Sequence, residues 1–342
     1  MVVVYHFLHS YNGEPVPYGY SPSLFPFSLL EEGHTGVALF MTLSGYLFTK
    51  LLDGKEIDHG AFLWNRALRL LPLLLIVILA NGLITLFKGE SLLDLLKIVV
   101  TGILLPTLPN GGWSITIEFH YYLIIPLFIF MLRRSSFLLL SIVIAAMAVR
   151  TLLFYQNGEV QRLAYWTLIG RIDQFVLGMM SYTFRSFLAH RHVLVITSFT
   201  AFMLAFSYFN DLGGFYLFNG FPSQSALWIF LPSIEGLSYA MLVAWYDSSF
   251  NHSNSGISKF VGKVGAYSYS IYLLHFFVVF HAGSFVHQRI MDISNFYLAC
   301  AWGLAFFMLM LVPAALSYHF IELPFFRFRR NYLRSSQALE ES

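Results

Sequence analysis

Along the chain, long apolar stretches alternate with short polar ones. The 25 residues between Lys263 and Arg289 contain no Asp, Glu, Lys or Arg, and neither do the 29 between Asp292 and Glu322. Leu70–Phe87 and Val193–Asn210 are equally free of charge. A helix of about 18 apolar residues crosses the hydrocarbon core of a bilayer. A soluble protein can bury one such helix, not a series. The pattern predicts an all-α, polytopic transmembrane helical bundle of about ten spans. They are placed at 1–10, 33–51, 67–88, 113–132, 136–155, 163–182, 193–210, 225–246, 264–287 and 294–321. Segment 91–108 carries Asp94 and Lys97 and ends among prolines, so it reads as re-entrant or interfacial rather than as a span.

Composition agrees with lipid as the solvent: 57% of the residues are hydrophobic and 11% charged, where soluble domains carry about 25% charged. The distribution of Lys and Arg adds an orientation. With the N-terminus in the cytosol and 91–108 left out of the count, Lys50, Lys55, Arg66, Arg69, Arg133, Arg134, Arg185, Arg191, Lys259 and Lys263 fall inside, as do the arginines of the tail. Lys88, Lys97, Arg162 and Arg289 fall outside. Both termini are then cytosolic. The organisation expected is a membrane-embedded domain over 1–324 and a cytosolic basic tail over 325–342. The single cysteine, Cys300, excludes a disulfide framework and a thiolate metal site within this sequence, and the net charge of +2 gives no reason to expect nucleic acid.

Ionisable groups at membrane depth are costly and face a partner or a cavity. Arg66 and Arg69 lie three apart on one helix face at the start of a span, where forked donors suit a phosphate and equally suit anchoring at the cytosolic surface. His6 offers an imidazole, the usual general base for a hydroxyl nucleophile, or a plain interfacial residue. Ser114, Glu118 and Tyr122 share a face behind Trp113, which fits either a polar site or a helix-packing set. Arg171, Gln174 and Gly178 form another face, and Ser268, Tyr272 and His275 a third. Ser44-Gly45 suits close helix packing, and Glu322-Leu-Pro closes the last span. The segment Ser10–Glu32 holds Tyr11, Tyr18, Tyr20, Phe25 and Phe27, flat faces suited to sugar rings or to interfacial anchoring.

Taken in order, these pieces resemble the acyltransferase-3 family of bacterial membrane O-acyltransferases. The matching stretches are VVVYHF with His6, LFMTLSGYLFTK with Ser44, FLWNRALRLLPL with Arg66 and Arg69, and GGWSITIEFHYYLIIPL with Trp113, Ser114, Glu118 and Tyr122. GRIDQFVLGMM with Arg171, GAYSYSIYLLH with Tyr272 and His275, and SYHFIELPF with Glu322 complete the series. The family also carries an Arg about three helical turns before the first His, and this sequence has no counterpart to it. The resemblance implies transfer of an acyl group from cytosolic acyl-CoA, usually acetyl-CoA, to a hydroxyl of a cell-surface or exported polysaccharide. His6 and Glu118 would be catalytic, and Arg66 and Arg69 would bind the CoA. Ser44, Trp113, Ser114, Tyr122, Arg171, Tyr272, His275 and Glu322 would line the pore or acceptor site. No metal is implied. Expected partners are acyl-CoA, a glycan acceptor, the lipid bilayer and polysaccharide-biosynthesis proteins, in a bacterial inner membrane. A transporter or flippase for a glycan or lipid-linked intermediate is the alternative, and it predicts inverted repeats with interrupted helices.

Overall fold

A computed structural model describes residues 1–9, 26–89, 91–215, 221–251, 253 and 255–335. Its helices, in chain order, are α1 (Val2–Leu8), α2 (Ser28–Glu31), α3 (Gly36–Leu52), α4 (His59–Phe87), α5 (Leu92–Thr101), α6 (Trp113–Arg134), α7 (Ser136–Asn157) and α8 (Gln161–Trp166). They continue with α9 (Leu168–Thr183), α10 (Arg185–Leu188), α11 (His192–Asp211), α12 (Leu231–Ser249), α13 (Gly256–Leu274), α14 (Val279–Phe285) and α15 (Phe296–Ser317). The short strands β1 (Lys55–Ile57) and β2 (Leu333–Ser335) pair antiparallel. The boundaries follow local chemistry. Asp58 caps α4 by accepting from the Ala61 N–H, Thr167 caps α9 through Gly170, and Asn295 caps α15 through Tyr297 and Leu298. Gly158 ends α7 at φ 72°, a conformation without steric cost for glycine.

The chain is therefore an all-α polytopic membrane protein. Among the described residues, six helices are long and apolar enough to cross a membrane, or seven if the bent pair Gly256–Phe277 and Val279–Ile290, which meet at 61°, is one span. The expected count of about ten is larger, and the difference has identifiable sources. The first expected span is the seven-residue α1. The expected span 163–182 is divided between α8 and the 16-residue α9, which lies buried among its neighbours. In α12 the buried Glu235, with the flanking serines, lowers the apolar character. Segment 91–108, which is not among the ten, holds α5, whose ten residues rise only about 15 Å and cannot cross. Tyr11, Tyr18, Tyr20 and Phe25 of the aromatic loop, and 216–220 of the loop after α11, lie outside the described residues.

The chain divides into two compact units. The first comprises residues 1–5, 22–54 and 120–251 and is organised by α3, α9 and α12. Its helices approach closely because glycine stands at the crossings. A Cβ on Gly45 of α3 would lie 2.0 Å from the Phe175 carbonyl oxygen, and one on Gly178 of α9 would lie 2.0 Å from that of Thr42. Small residues let membrane helices gain packing that lipid cannot supply. The second unit comprises 6–21, 55–119 and 252–342. It packs α13 on α15 and folds the chain after α15 back onto the start of α4. Asn65 grips the backbone of Arg330 with two hydrogen bonds, of 2.7 and 2.9 Å, and the Trp64 indole donates to the Phe328 carbonyl.

Candidate functional site

His6 sits near the end of α1, and its Nδ1 lies 3.0 Å from Nε2 of His275. The two rings stack with centroids 5.2 Å apart, and Phe276 and Phe280 flank the His6 ring at 4.6 and 5.9 Å. His275 is fully buried at the break between α13 and α14, and its Nδ1 lies 3.0 Å from the Ile271 carbonyl oxygen. A carbonyl can only accept, so that nitrogen carries the proton. In a neutral His275 the Nε2 then accepts, and His6 must donate through Nδ1. The lone pair of His6 is thereby assigned to its Nε2. The chain from carbonyl to His275 to His6 selects one tautomer for the more exposed ring, as an orienting group does in catalytic dyads and triads.

The wall beside this pair is built where α6 begins. Tyr272 donates to the Gly111 carbonyl at 3.0 Å, and Ser114 is 3.0 Å from both the same carbonyl and the Tyr272 hydroxyl. Gly111 has φ 74°, and a Cβ there would lie 2.8 Å from Tyr272 and Phe276, so two constraints favour glycine. Asn110, also left-handed at φ 53°, reaches the Leu273 carbonyl. Trp113 and Glu118 are buried on the same helix, and Glu118 lies within electrostatic reach of Tyr269.

A second cluster occupies the start of α4. Arg69 donates to Glu322 at 2.6 Å and to the Ala266 carbonyl at 3.3 Å. Its guanidinium lies over the rings of Tyr269, Tyr318 and Phe326 at 5.6–5.9 Å. Glu322 is fully buried and also accepts from Ser270. Arg66 lies over Phe62, and Arg329 stacks on Phe326 at 3.7 Å. Burial, reinforced by the like charges of Arg66 and Arg69, holds the Arg329 pKa below the ordinary arginine value. Three guanidinium groups therefore share one neighbourhood. The sequence places Arg66 and Arg69 at the start of a span, which would put them at the beginning of its helix. In fact α4 begins at His59, almost two turns earlier, because Asp58 caps it there. Forked side chains, rather than helix-end amides, make this cluster attractive to an anion.

His6, Glu118, Arg66, Arg69, Trp113, Ser114, Tyr272, His275 and Glu322 all belong to the second unit. Both clusters lie along α13, from Ala266 beside Arg69 to His275, the residue just after its end, beside His6, an axial rise of about 14 Å. Ser44, Tyr122 and Arg171 belong to the first unit. Ser44 is buried beside the Gly45 crossing, and Tyr122 packs edge-on against Phe48. Arg171 donates to the Tyr165 carbonyl and to Gln174, which in turn donates to Glu235. The sequence reading counts Arg329 only among the basic tail arginines and misses Ser270, Phe276 and Gly111. The Asn110-Gly111 dipeptide is a visible turn signal, whereas Ser270 and Phe276 carry none. Among the described residues no group of three His, Cys, Asp or Glu side chains could hold a metal ion.

A family model described as an acyltransferase domain matches residues 1–318. A putative O-acetyltransferase of Staphylococcus aureus strain COL is 25% identical, the alignment covering 86% of this chain and 53% of the relative. The O-acetyltransferase OatA of Staphylococcus aureus strain NCTC 8325 is 24% identical with the same coverage. The chain thus spans about half the length of these curated relatives. No solved structure matches it.

Proposed function

This chain belongs to the acyltransferase-3 family, and from that premise we propose that it moves an acyl group from acyl-CoA to a hydroxyl of a cell-envelope polysaccharide. The observation that carries the reading is the His6–His275 pair, which gives the half-buried His6 ring a basic Nε2. In this mechanism Nε2 of His6 takes the proton of the acceptor hydroxyl as its oxygen attacks the thioester carbonyl. The C–S bond breaks, the CoA sulfur leaves, and the proton passes to it from His6. The products are the ester and free CoA. His275 acts as a positioning residue. Tyr272, Ser114 and Trp113 shape the wall beside the reacting groups, and Glu118 supplies a buried carboxylate farther along α6. Acetyl is the acyl group favoured by the relatives' names.

Arg66, Arg69 and Arg329 hold the phosphates of CoA in this reading, with Arg69 fixed by Glu322 and the aromatic rings around it. By the charge bias of the loops this end of α4 is cytosolic, where CoA is found, in a bacterial inner membrane. The test is acetyl-CoA-dependent CoA release and acceptor acetylation by the purified full chain, with His6→Ala and Arg69→Ala variants. The expected result is lost turnover with retained acetyl-CoA binding for His6→Ala, and weakened binding for Arg69→Ala. Unchanged turnover in a folded His6→Ala protein would remove the proposed base.

A further inference from the structure

Between α13 and α15, within the second unit, lies a groove of about 510 Å³. Its walls are almost wholly apolar, formed by side chains such as Phe260, Leu311 and Phe320, and Lys263, Tyr267 and His319 complete its lining. A volume of this size is within the range that holds a bound small molecule. The surrounding helix surface is apolar and exposed, as Leu309, Val312 and Leu316 show, so the groove opens on bilayer hydrocarbon.

The charge around the groove has one sign. Lys263 is exposed, and Lys259 stands one helical turn before it on the same face. Among the described residues neither lysine makes an ion pair or side-chain hydrogen bond. Neither α13 nor α15 contains an Asp or Glu. The nearest carboxylate after α15, Glu322, is fully buried and held by Arg69 and Ser270. His319, on the π-turn that follows α15, lies 3.4 Å from the Tyr267 hydroxyl. A soluble anion would leave the apolar trough empty, and a purely apolar occupant would leave the lysines unmatched. A molecule with a phosphate head and a hydrocarbon tail satisfies both. Basic pockets between membrane helices select anionic headgroups in this way.

We propose that this groove is a binding site for an anionic glycerophospholipid of the surrounding bilayer, one acyl chain lying between α13 and α15 and the phosphate held by Lys259 and Lys263. The site touches the arginine cluster through aromatic contacts. Tyr267 packs on Tyr318 at 5.3 Å, and Tyr318 lies beneath Arg69 at 5.9 Å. An occupied groove would steady the ring on which Arg69 rests.

The experiment uses the full chain reconstituted in nanodiscs of equal phosphatidylglycerol and phosphatidylcholine, with retained lipids counted by native mass spectrometry. The expected result is one phosphatidylglycerol retained at least about tenfold over phosphatidylcholine. That preference disappears in the Lys259→Gln/Lys263→Gln protein, whose substitutions are at exposed positions. A second variant, Val312→Trp, fills the trough and removes the retained lipid while the lysines remain. Equal retention of the two lipids, or a preference that survives the double lysine substitution, overturns the proposal. Displacement of phosphatidylglycerol by equimolar polyprenyl phosphate also overturns it, because the site would then belong to a lipid-linked intermediate.

Discussion

In the unit organised by α3, α9 and α12, Arg150 is fully buried and its three guanidinium nitrogens are all met. They donate to the carbonyls of Ile229 and Gly170, to Asp173 at 2.7 Å and to Ser233 at 2.9 Å. In the other unit Arg66, Arg69 and Arg329 gather where Glu322 compensates Arg69, and Arg329 is left facing like charges. Both regions place arginine at membrane depth or at its edge. The first arrangement is closed, a satisfied network that orders the helices around it. The second gathers three guanidinium groups with a single buried carboxylate fixed on Arg69, and in the reading proposed above they receive the phosphates of the acyl donor. Buried charge alone does not distinguish a strut from a site.

The comparison breaks first at His6. His6→Ala should lower turnover about 10²–10⁴-fold, the scale of a general base, with thermal stability and acyl-CoA affinity near the parent values. Activity assays beside thermal unfolding test this, and a large stability loss would make His6 a structural residue. Arg150→Ala should do the reverse. It leaves the buried Asp173 carboxylate unpaired and should cost about 3–5 kcal/mol of stability, read as lower Tm and yield with donor affinity preserved in whatever protein folds. Gly178→Ala presses a methyl into the Thr42 carbonyl and should cost about 1–3 kcal/mol, again without a specific effect on donor binding. Smaller effects belong to the arginine cluster. Arg69→Ala and Arg329→Ala should each weaken acyl-CoA binding about tenfold, roughly 1.4 kcal/mol, and flatten its dependence on salt, and Arg69→Ala should lower Tm as well, because it leaves the buried Glu322 without its ion-pair partner. Titration calorimetry at two ionic strengths measures both. An Arg329→Ala protein with parent affinity would confine the phosphate site to α4.

His275 sharpens the comparison further. His275→Gln keeps a group able to accept from His6 and should retain more activity than His275→Phe, which removes the acceptor. If the two variants are equally impaired, the tautomer argument fails and His275 is needed only for packing.

The all-α membrane architecture was legible in the sequence because apolar runs of spanning length have few alternatives in water. Arg66, Arg69 and His6 are among the polar groups that are costly in such runs, but the resemblance to the family, not the cost alone, singles them out for function. The number of spans was less legible. Hydropathy cannot tell a helix in lipid from one enclosed by other helices, and α9 is largely enclosed, with Gly178 in backbone contact with α3.

What the sequence determined by itself is the solvent, the helical class and the residue types available for chemistry, since each follows from composition within a short window. What only the tertiary structure decided is partnership. His6 and His275 are separated by 269 positions, and Arg69 and Glu322 by 253. Arg329 joins the cluster because β2 pairs with β1 and Asn65 holds the Arg330 backbone. A hydrogen bond acts over about 3 Å, and chain position carries no direct measure of that distance. The lone pair on His6 therefore became assignable only when the fold brought a carbonyl and a second imidazole into line with it.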